Sequence, residues 1–216
     1  MRKVKSVQIP YKQIVDEILD LYSGLLVPFM KIRRDMPFPG ENGRHETDSE
    51  HVFTVGMLAI TVSERLNLDL DTGLIAKYAL IHDLVEAYAG DVSVRDAEAY
   101  FQKEDKEHKA LLLIQERYQK SSPWMAKHIE KYEARLDDES KLVYAVDKFM
   151  GAMARMTEND EHWAEYYPEK DGSSFHKVVE RLRQKAKTYP PVLPLFDAVY
   201  EELDSRWPSY LAKGKR

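Results

Sequence analysis

The stretch that most constrains the fold is AKYALIHDLVEAYAGD, residues 76–91, in which a His–Asp pair interrupts an apolar helical pattern. Read at the helical period, one face combines apolar and ionisable residues: Ile75, Ala79, His82 and Glu86, with Asp83 beside them. Because this face carries the continuous apolar stripe of the segment, the pattern predicts that it is buried. Ionisable groups on a buried face destabilise a fold unless a partner balances their charge, and an isolated carboxylate is the worst case. A divalent metal ion is the simplest such partner.

The composition favours one helical domain and narrows the kind of metal site. Glycine is scarce, with 9 residues in 216, and charged residues make up 32% of the chain, a balance that favours helices over sheets. The chain has no cysteine, so imidazole and carboxylate groups must hold any metal. Such groups suit hard or borderline divalent ions, and we expect one ion of Mn, Co, Mg, Fe or Zn.

Charge and hydropathy exclude several classes of partner. The net charge of −5 argues against a protein that binds nucleic acid polymers, which normally shows a basic face. No apolar run reaches the ~18 residues of a membrane span. The basic start, MRKVKSVQIPYKQ, lacks the apolar region of a secretory signal. We therefore expect a cytoplasmic protein that binds neither nucleic acid polymers nor membranes.

The remaining patterns predict an all-α fold with about seven or more helices and no convincing strand. We expect residues 1–216 to form one domain, with C-terminal helices packed on the core. Asp48 or Ser49 is a good N-cap for the second helix. The predicted helices cover residues 11–32, with a kink or end near Val27 before Pro28, and about 49–66, 72–89, 96–120, 124–137, 141–159, 174–188 and 192–205.

Residues 33–48, RRDMPFPGENGRHETD, contain two prolines and two glycines and are predicted to form a loop. Long loops in compact domains are often functional. The three arginines of this loop, Arg33, Arg34 and Arg44, could bind an anionic ligand, or they could be solvated surface charges.

Four ionisable groups on three helices are predicted to point inward: His51, His82, Asp83 and Asp147. His51 shares a face with Val55, and Asp147 shares one with Val143. A lone histidine on such a stripe is more often a satisfied core residue than a ligand. Together, two histidines and two carboxylates fit a five- or six-coordinate divalent ion with positions left for water and substrate.

This ordered set resembles the H…HD…D signature of the HD-domain metal-dependent phosphohydrolases. The runs RHETDSEH (44–51) and HDLVEAYAGD (82–91) are similar to those of the 5′-deoxynucleotidases, which remove phosphate from deoxyribonucleoside 5′-monophosphates. The resemblance covers about residues 25–150. It implies an HD-type helical fold and, because relatives of this kind are often dimers, a homodimer.

The resemblance also implies a role for each matching residue. The metal ligands would be His51, His82, Asp83 and Asp147. Glu86 would handle the proton of the attacking water, and Asp91 would lie in the nucleotide pocket near the sugar. Arg34 is the better match for the arginine that orients the phosphate, and Arg33 is the second choice.

One departure from the family pattern concerns the substrate. The family usually has a tryptophan close after the phosphate-binding arginine, whereas this chain has Met36 and Phe38. The departure bears on sugar and base selectivity more than on the reaction.

Three functions are compatible with these features. The first is a divalent-metal-dependent phosphohydrolase that removes the 5′-phosphate of (deoxy)ribonucleoside monophosphates through a metal-activated water. The second is a phosphodiesterase or pyrophosphohydrolase acting on a larger nucleotide. The third is a non-catalytic domain that binds nucleotide and metal, and Glu86 argues against it because a binding module needs no proton carrier.

Overall fold

The computed structural model of the protein describes residues 9–41, 43–92, 101–157 and 173–213, and helices dominate these ranges. The helices are α1 (Tyr11–Leu21), α2 (Val27–Lys31), α3 (Asp48–Arg65), α4 (Thr72–Ile81), α5 (Glu86–Ala89), α6 (Lys103–Tyr118), α7 (Pro123–Glu133), α8 (Asp138–Thr157), α9 (Ser173–Ala186) and α10 (Leu193–Lys213). The all-α prediction is confirmed. None of the helices in these ranges combines the length and apolar character needed to cross a bilayer.

The centre of the core lies where α3, α4 and α8 pack together. Val55, Ile75 and Val146 have no exposed surface there. Gly56 allows α3 and α4 to approach closely, because a Cβ at this position would lie 3.2 Å from the Cβ of Ala79. This packing holds the three predicted ligand-bearing segments side by side.

A capping box at Thr47 fixes the start of α3. The Thr47 hydroxyl accepts a hydrogen bond from the Glu50 backbone N–H at 3.3 Å, and the Glu50 carboxylate accepts one from the Thr47 backbone N–H at 2.8 Å. The predicted N-cap, Asp48 or Ser49, is therefore wrong by one or two residues. The reciprocal pair at Thr47 satisfies two N–H groups at once, and it places His51 at the first turn of α3.

The predicted helix over residues 11–32 changes its period directly before Val27, close to the expected position. After α1 the chain forms a π-helical turn, Tyr22–Leu26, and continues as α2. Pro28 lies in the first turn of α2 and has no N–H to donate to a carbonyl of the preceding turn. The Gly24 carbonyl, four residues earlier, accepts a hydrogen bond from the Tyr88 hydroxyl at 2.9 Å.

The prediction of no strand is wrong, because residues 33–47 form a small antiparallel hairpin of β1 (Arg33–Pro37) and β2 (His45–Thr47). The strands are too short and irregular to show alternating hydropathy, so the sequence reads as a loop. Side chains reinforce the pairing: Arg33 donates to the His45 carbonyl at 3.0 Å, and His45 Nδ1 donates to the Arg34 carbonyl at 2.7 Å. The hairpin carries Arg34 to the start of α3, beside Asp48.

The predicted helix over residues 72–89 is interrupted at residues 82–85, so its prediction as one continuous helix is wrong. Hydrogen bonds of the i→i+3 type close this segment, from Leu84 N–H to the Ile81 carbonyl at 3.1 Å and from Glu86 N–H to the Asp83 carbonyl at 2.8 Å. A three-residue period eclipses side chains at i and i+3. Asp83 and Glu86 are thereby brought to the same side of the chain.

The C-terminal helices α9 and α10 pack against α8. Phe149 of α8 and Phe196 of α10 meet edge to face, with ring centroids 6.5 Å apart. Residues 96–100 of the predicted fourth helix and residues 158–159 of the predicted sixth lie outside the described residues.

We expect Thr47→Ala to lower the free energy of unfolding by about 1 kcal/mol, because it removes the cap of α3. Urea denaturation measures this change. Thr61→Ala is the matched control, since Thr61 is exposed on the same helix and its hydroxyl donates to the Met57 carbonyl within that helix. The control should stay within about 0.5 kcal/mol of wild type. Equal losses in the two variants would contradict a capping role.

Candidate metal centre

The four predicted metal ligands converge around the Asp83 carboxylate. Asp83 Oδ2 lies 3.3 Å from His82 Nε2 and 3.6 Å from His51 Nε2. Ligand atoms of these three residues all lie within 4.8 Å of one another, a spacing that one ion could bridge. Asp147 joins them from α8, with Oδ1 at 3.0 Å from His51 Nε2.

His82 is oriented as a metal ligand. Its Nδ1 lies 2.8 Å from the Ala79 carbonyl, which can only accept, so Nδ1 carries the hydrogen. In a neutral ring, which metal binding requires, the lone pair would be on Nε2, a buried atom without a hydrogen-bond partner among the described residues. A backbone carbonyl bonded to the far nitrogen commonly fixes the tautomer of a ligating histidine.

The charges of the cluster suit a divalent cation. Burial raises the pKa of Asp83, but His82 and Arg34 lower it by more than burial raises it. This pKa therefore lies well below its ordinary value. Burial likewise raises the pKa of Asp147, and Lys148 and His51 more than reverse the effect. Both groups are thus carboxylates at neutral pH, and this donor set of two imidazoles and two carboxylates fits the metal that the sequence implies.

His51 carries a proton in the metal-free protein. Burial and Arg34 lower its pKa, but hydrogen bonds to the carboxylates of Asp147 and Glu46 outweigh them and raise this pKa to about 9. The protonated Nε2 then donates to Asp147. Metal binding must displace this proton, since a histidine ligand is neutral.

Arg34 is the predicted arginine that the fold brings to the centre. Its Nη1 donates to Asp83 Oδ2 at 2.7 Å and to Asp48 Oδ1 at 3.1 Å, and it lies 3.9 Å from Glu86 Oε2. Burial lowers the pKa of Arg34, but Asp83 and Glu86 raise it well above its ordinary value. A permanent cation therefore adjoins three carboxylates.

Arg33 and Arg44 lie elsewhere. Arg33 bonds the His45 carbonyl on the exposed side of the hairpin. Arg44 donates to both oxygens of Glu50 at 2.9 Å and stacks on the ring of Phe38, 3.7 Å from its centroid. Neither arginine is among the described residues that line the cavity at the metal centre. A substrate-binding role for either one stays a prediction.

Glu86 is buried beside the predicted metal ligands, with 1% of its side chain exposed. Its Oε1 accepts a hydrogen bond from Lys103 Nζ at 2.9 Å, while Oε2 has no such partner within the described part of the chain. Burial and Asp83 raise the pKa of Glu86 more than Lys103 and Arg34 lower it, so this pKa lies well above its ordinary value. Such a carboxyl holds a proton more readily than an ordinary glutamate, which suits proton exchange with water.

Asp48 belongs to the site although its sequence position suggested only a cap. It is fully buried, and with Asp83 and Glu86 it forms a second group whose oxygens lie within 4.8 Å of one another. Burial raises the pKa of Asp48 to about 6, although Arg34 acts in the opposite direction. Asp48 directly follows the capping residue Thr47, and this position in the sequence does not indicate that its carboxylate belongs to the site.

Two lysines at the centre were also not predicted. Lys148 contacts the Asp147 carboxylate, and Lys103 contacts Glu86. A signal for Lys103 did exist in the sequence. Ile114 and Ala110 are buried and share one face of α6. Lys103 lies on the same face, two turns before Ala110, so the helical spacing predicts that it points inward.

A cavity of about 230 Å³ opens at the metal centre and continues along α8. Its polar end is lined by Arg34, His51, Asp83, Glu86, Asp91, Lys103, Asp147 and Lys148. Its apolar arm is lined by Met150, Ala154, Phe175, Val179, Leu182 and Leu203. Met36 also faces the cavity, and Asp91 Oδ2 accepts a hydrogen bond from the Asp35 backbone N–H at 3.3 Å.

Comparisons with known proteins agree with this fold. A family model of the HD domain matches residues 32–189. The fold is similar to that of a predicted metal-dependent phosphohydrolase from Magnetospirillum magnetotacticum MS-1, with a TM-score of 0.72 and 20% identity over 91% of this chain and 97% of that one. It is also similar to a conserved hypothetical protein from Pyrococcus furiosus, with a TM-score of 0.56 and 23% identity over 87% and 99%. No curated protein matches the sequence.

We expect the affinity for Mn²⁺ to rise with pH up to about pH 9. Below the pKa of His51 a proton must leave before Nε2 can bind metal, so the dissociation constant should fall about tenfold per pH unit near neutrality. Isothermal titration in buffers of different ionisation enthalpy should also report about one proton released per ion. An affinity that is independent of pH, with no proton release, would contradict the assignment of His51.

Proposed function

Because this chain belongs to the HD-domain family, we propose that it is a divalent-metal-dependent phosphohydrolase. The observation that carries the proposal is the pair of His82 Nε2 and Glu86 Oε2, two buried atoms without hydrogen-bond partners among the described residues, on opposite sides of Asp83 in the chain. His82 Nε2 is suited to bind a metal ion, and Glu86 Oε2 is suited to accept a proton. The similarity to the Magnetospirillum protein, a predicted metal-dependent phosphohydrolase, supports the same chemistry.

The reaction we propose is the transfer of a phosphoryl group to water. When bound, a divalent ion supplies Lewis acidity, which polarises a phosphoryl oxygen and acidifies a water molecule. Glu86 takes a proton from the attacking water while the oxygen of that water bonds to phosphorus. The ester P–O bond breaks, the leaving oxygen gains a proton, and the products are inorganic phosphate and an alcohol.

Cations of the chain balance the charge of the phosphoryl group. Arg34 lies beside Asp83 at the polar end and offers N–H donors to phosphoryl oxygens. Lys148 lines the same end of the cavity next to Asp147. Donors that are fixed before the reaction stabilise developing charge without reorganising.

We propose that the substrate is a nucleoside 5′-monophosphate, with its phosphate at the polar end and its nucleoside in the apolar arm. The cavity follows α8 from Asp147 at its polar end to Arg155, which spans about 12 Å at 1.5 Å per residue. This length suits a single nucleoside monophosphate. The cavity is also smaller than the ~300–1,000 Å³ of most ligand clefts, which favours a mononucleotide over a larger nucleotide.

We expect the protein with Mn²⁺ or Co²⁺ to release phosphate from dAMP or dTMP faster than from AMP. Phosphate release from a panel of mono-, di- and cyclic nucleotides tests this. Equal rates on ribo- and deoxyribonucleotides would remove the sugar preference and leave the phosphohydrolase. Turnover of only cyclic or pyrophosphate substrates would contradict the monophosphate proposal.

We expect Arg34→Met to lower kcat/KM by roughly 10- to 150-fold, the effect of losing charge-assisted hydrogen bonds of ~1.5–3 kcal/mol. Arg33→Met makes the same chemical change one residue away, on the exposed side of the hairpin, and should change kcat/KM less than about threefold. Steady-state kinetics on the best nucleotide distinguish the two. A larger loss in the Arg33 variant would assign the phosphate to Arg33.

A further inference from the structure

Lys103 reaches the metal centre from α6, outside the segments that supply the predicted ligands. Its Nζ lies 2.9 Å from Glu86 Oε1 and 3.1 Å from Glu107 Oε1. The side chain is 25% exposed and lines the polar end of the cavity. The Lys103 ammonium thus contacts both Glu86 of α5 and Glu107, which lies one turn further along α6.

The contact with Lys103 makes the two oxygens of Glu86 unequal. Oε1 is occupied by the ammonium, whereas Oε2 is buried, has no hydrogen-bond partner in the described ranges and lies 3.9 Å from Arg34 Nη1. Rotation of the carboxylate by half a turn would exchange the two oxygens. The ion pair with Lys103 opposes this rotation.

Glu107 keeps the ammonium in place. It is four residues from Lys103 on the same face of α6, and its Oε1 lies 3.1 Å from Lys103 Nζ, so the two side chains form an ion pair along the helix. A long lysine side chain otherwise samples many rotamers. Held between two carboxylates, Lys103 has a defined position relative to Glu86.

We propose that Lys103 is a positioning residue that fixes Glu86 with Oε2 directed at the reacting water. The inference rests on the proposed phosphohydrolase function, and it assigns a task to α6 in that reaction. Lys103 acts through Glu86 and does not bind the substrate. Its removal should therefore slow the chemical step and leave substrate binding unchanged.

The test compares Lys103→Met, Lys103→Arg and the control Lys106→Met in the full chain with Mn²⁺ and the best nucleotide of the panel. Lys106 lies on the same helix and is exposed. We expect Lys103→Met to lower kcat about 10- to 100-fold with KM within about twofold, the scale of a misplaced catalytic group. Lys103→Arg should restore part of kcat, and Lys106→Met should match wild type.

Two further measurements separate positioning from a structural role. The affinity for Mn²⁺, measured by titration calorimetry, should be the same in Lys103→Met and wild type. In a Glu86→Gln background, Lys103→Met should change the residual kcat by less than about twofold, because a residue that acts through Glu86 has nothing left to position.

Each other outcome overturns the inference. A raised KM with unchanged kcat would place the ammonium on the substrate, and a full additional loss in the Glu86→Gln background would show that Lys103 acts independently. An active wild type with unchanged Lys103→Met kinetics would reject the inference alone. A wild type that releases phosphate from no nucleotide would reject the proposed function and this inference with it.

Discussion

The charge of one carboxylate, Asp83, must be balanced for this fold to exist. A carboxylate removed from water destabilises a protein unless cations or donors surround it. Arg34 from the hairpin, His51 from α3 and the adjacent His82 all lie within 3.6 Å of Asp83 Oδ2. The hairpin, the capped start of α3 and the end of α4 are therefore arranged around one atom. The same arrangement, with Asp147 added from α8, is a donor set for a divalent ion.

The interruption of the helix at residues 82–85 links fold to chemistry. In a continuous α-helix the side chains of Asp83 and Glu86 would point in different directions, because three residues are less than one full turn of 3.6 residues. The tighter i→i+3 hydrogen bonds align them, so the proposed proton carrier adjoins the ligand cluster. Helix α6 then packs against α5 and brings Lys103 to Glu86. A local change of helical period thus places the proposed acid/base group next to the proposed metal site.

Sequence periodicity predicted the class of the fold and the convergence of His51, His82, Asp83 and Asp147, because burial of an apolar stripe dictates where its ionisable members point. It could not choose among the loop arginines. That choice depends on the hairpin, whose strands are too short to show a pattern. Lys103 was overlooked because charges crowd the start of α6, although the stripe through Ala110 and Ile114 indicated its face. The break at residues 82–85 had no signal, since neither glycine nor proline marks it.

A crystal structure of the protein grown with Zn²⁺, with anomalous data collected at the zinc edge, tests the central claim most directly. The account predicts one strong peak about 2.0–2.2 Å from His51 Nε2, His82 Nε2 and an oxygen each of Asp83 and Asp147. The claim would be contradicted by a peak bound only to Asp48, Asp83 and Glu86, or by no peak at the centre.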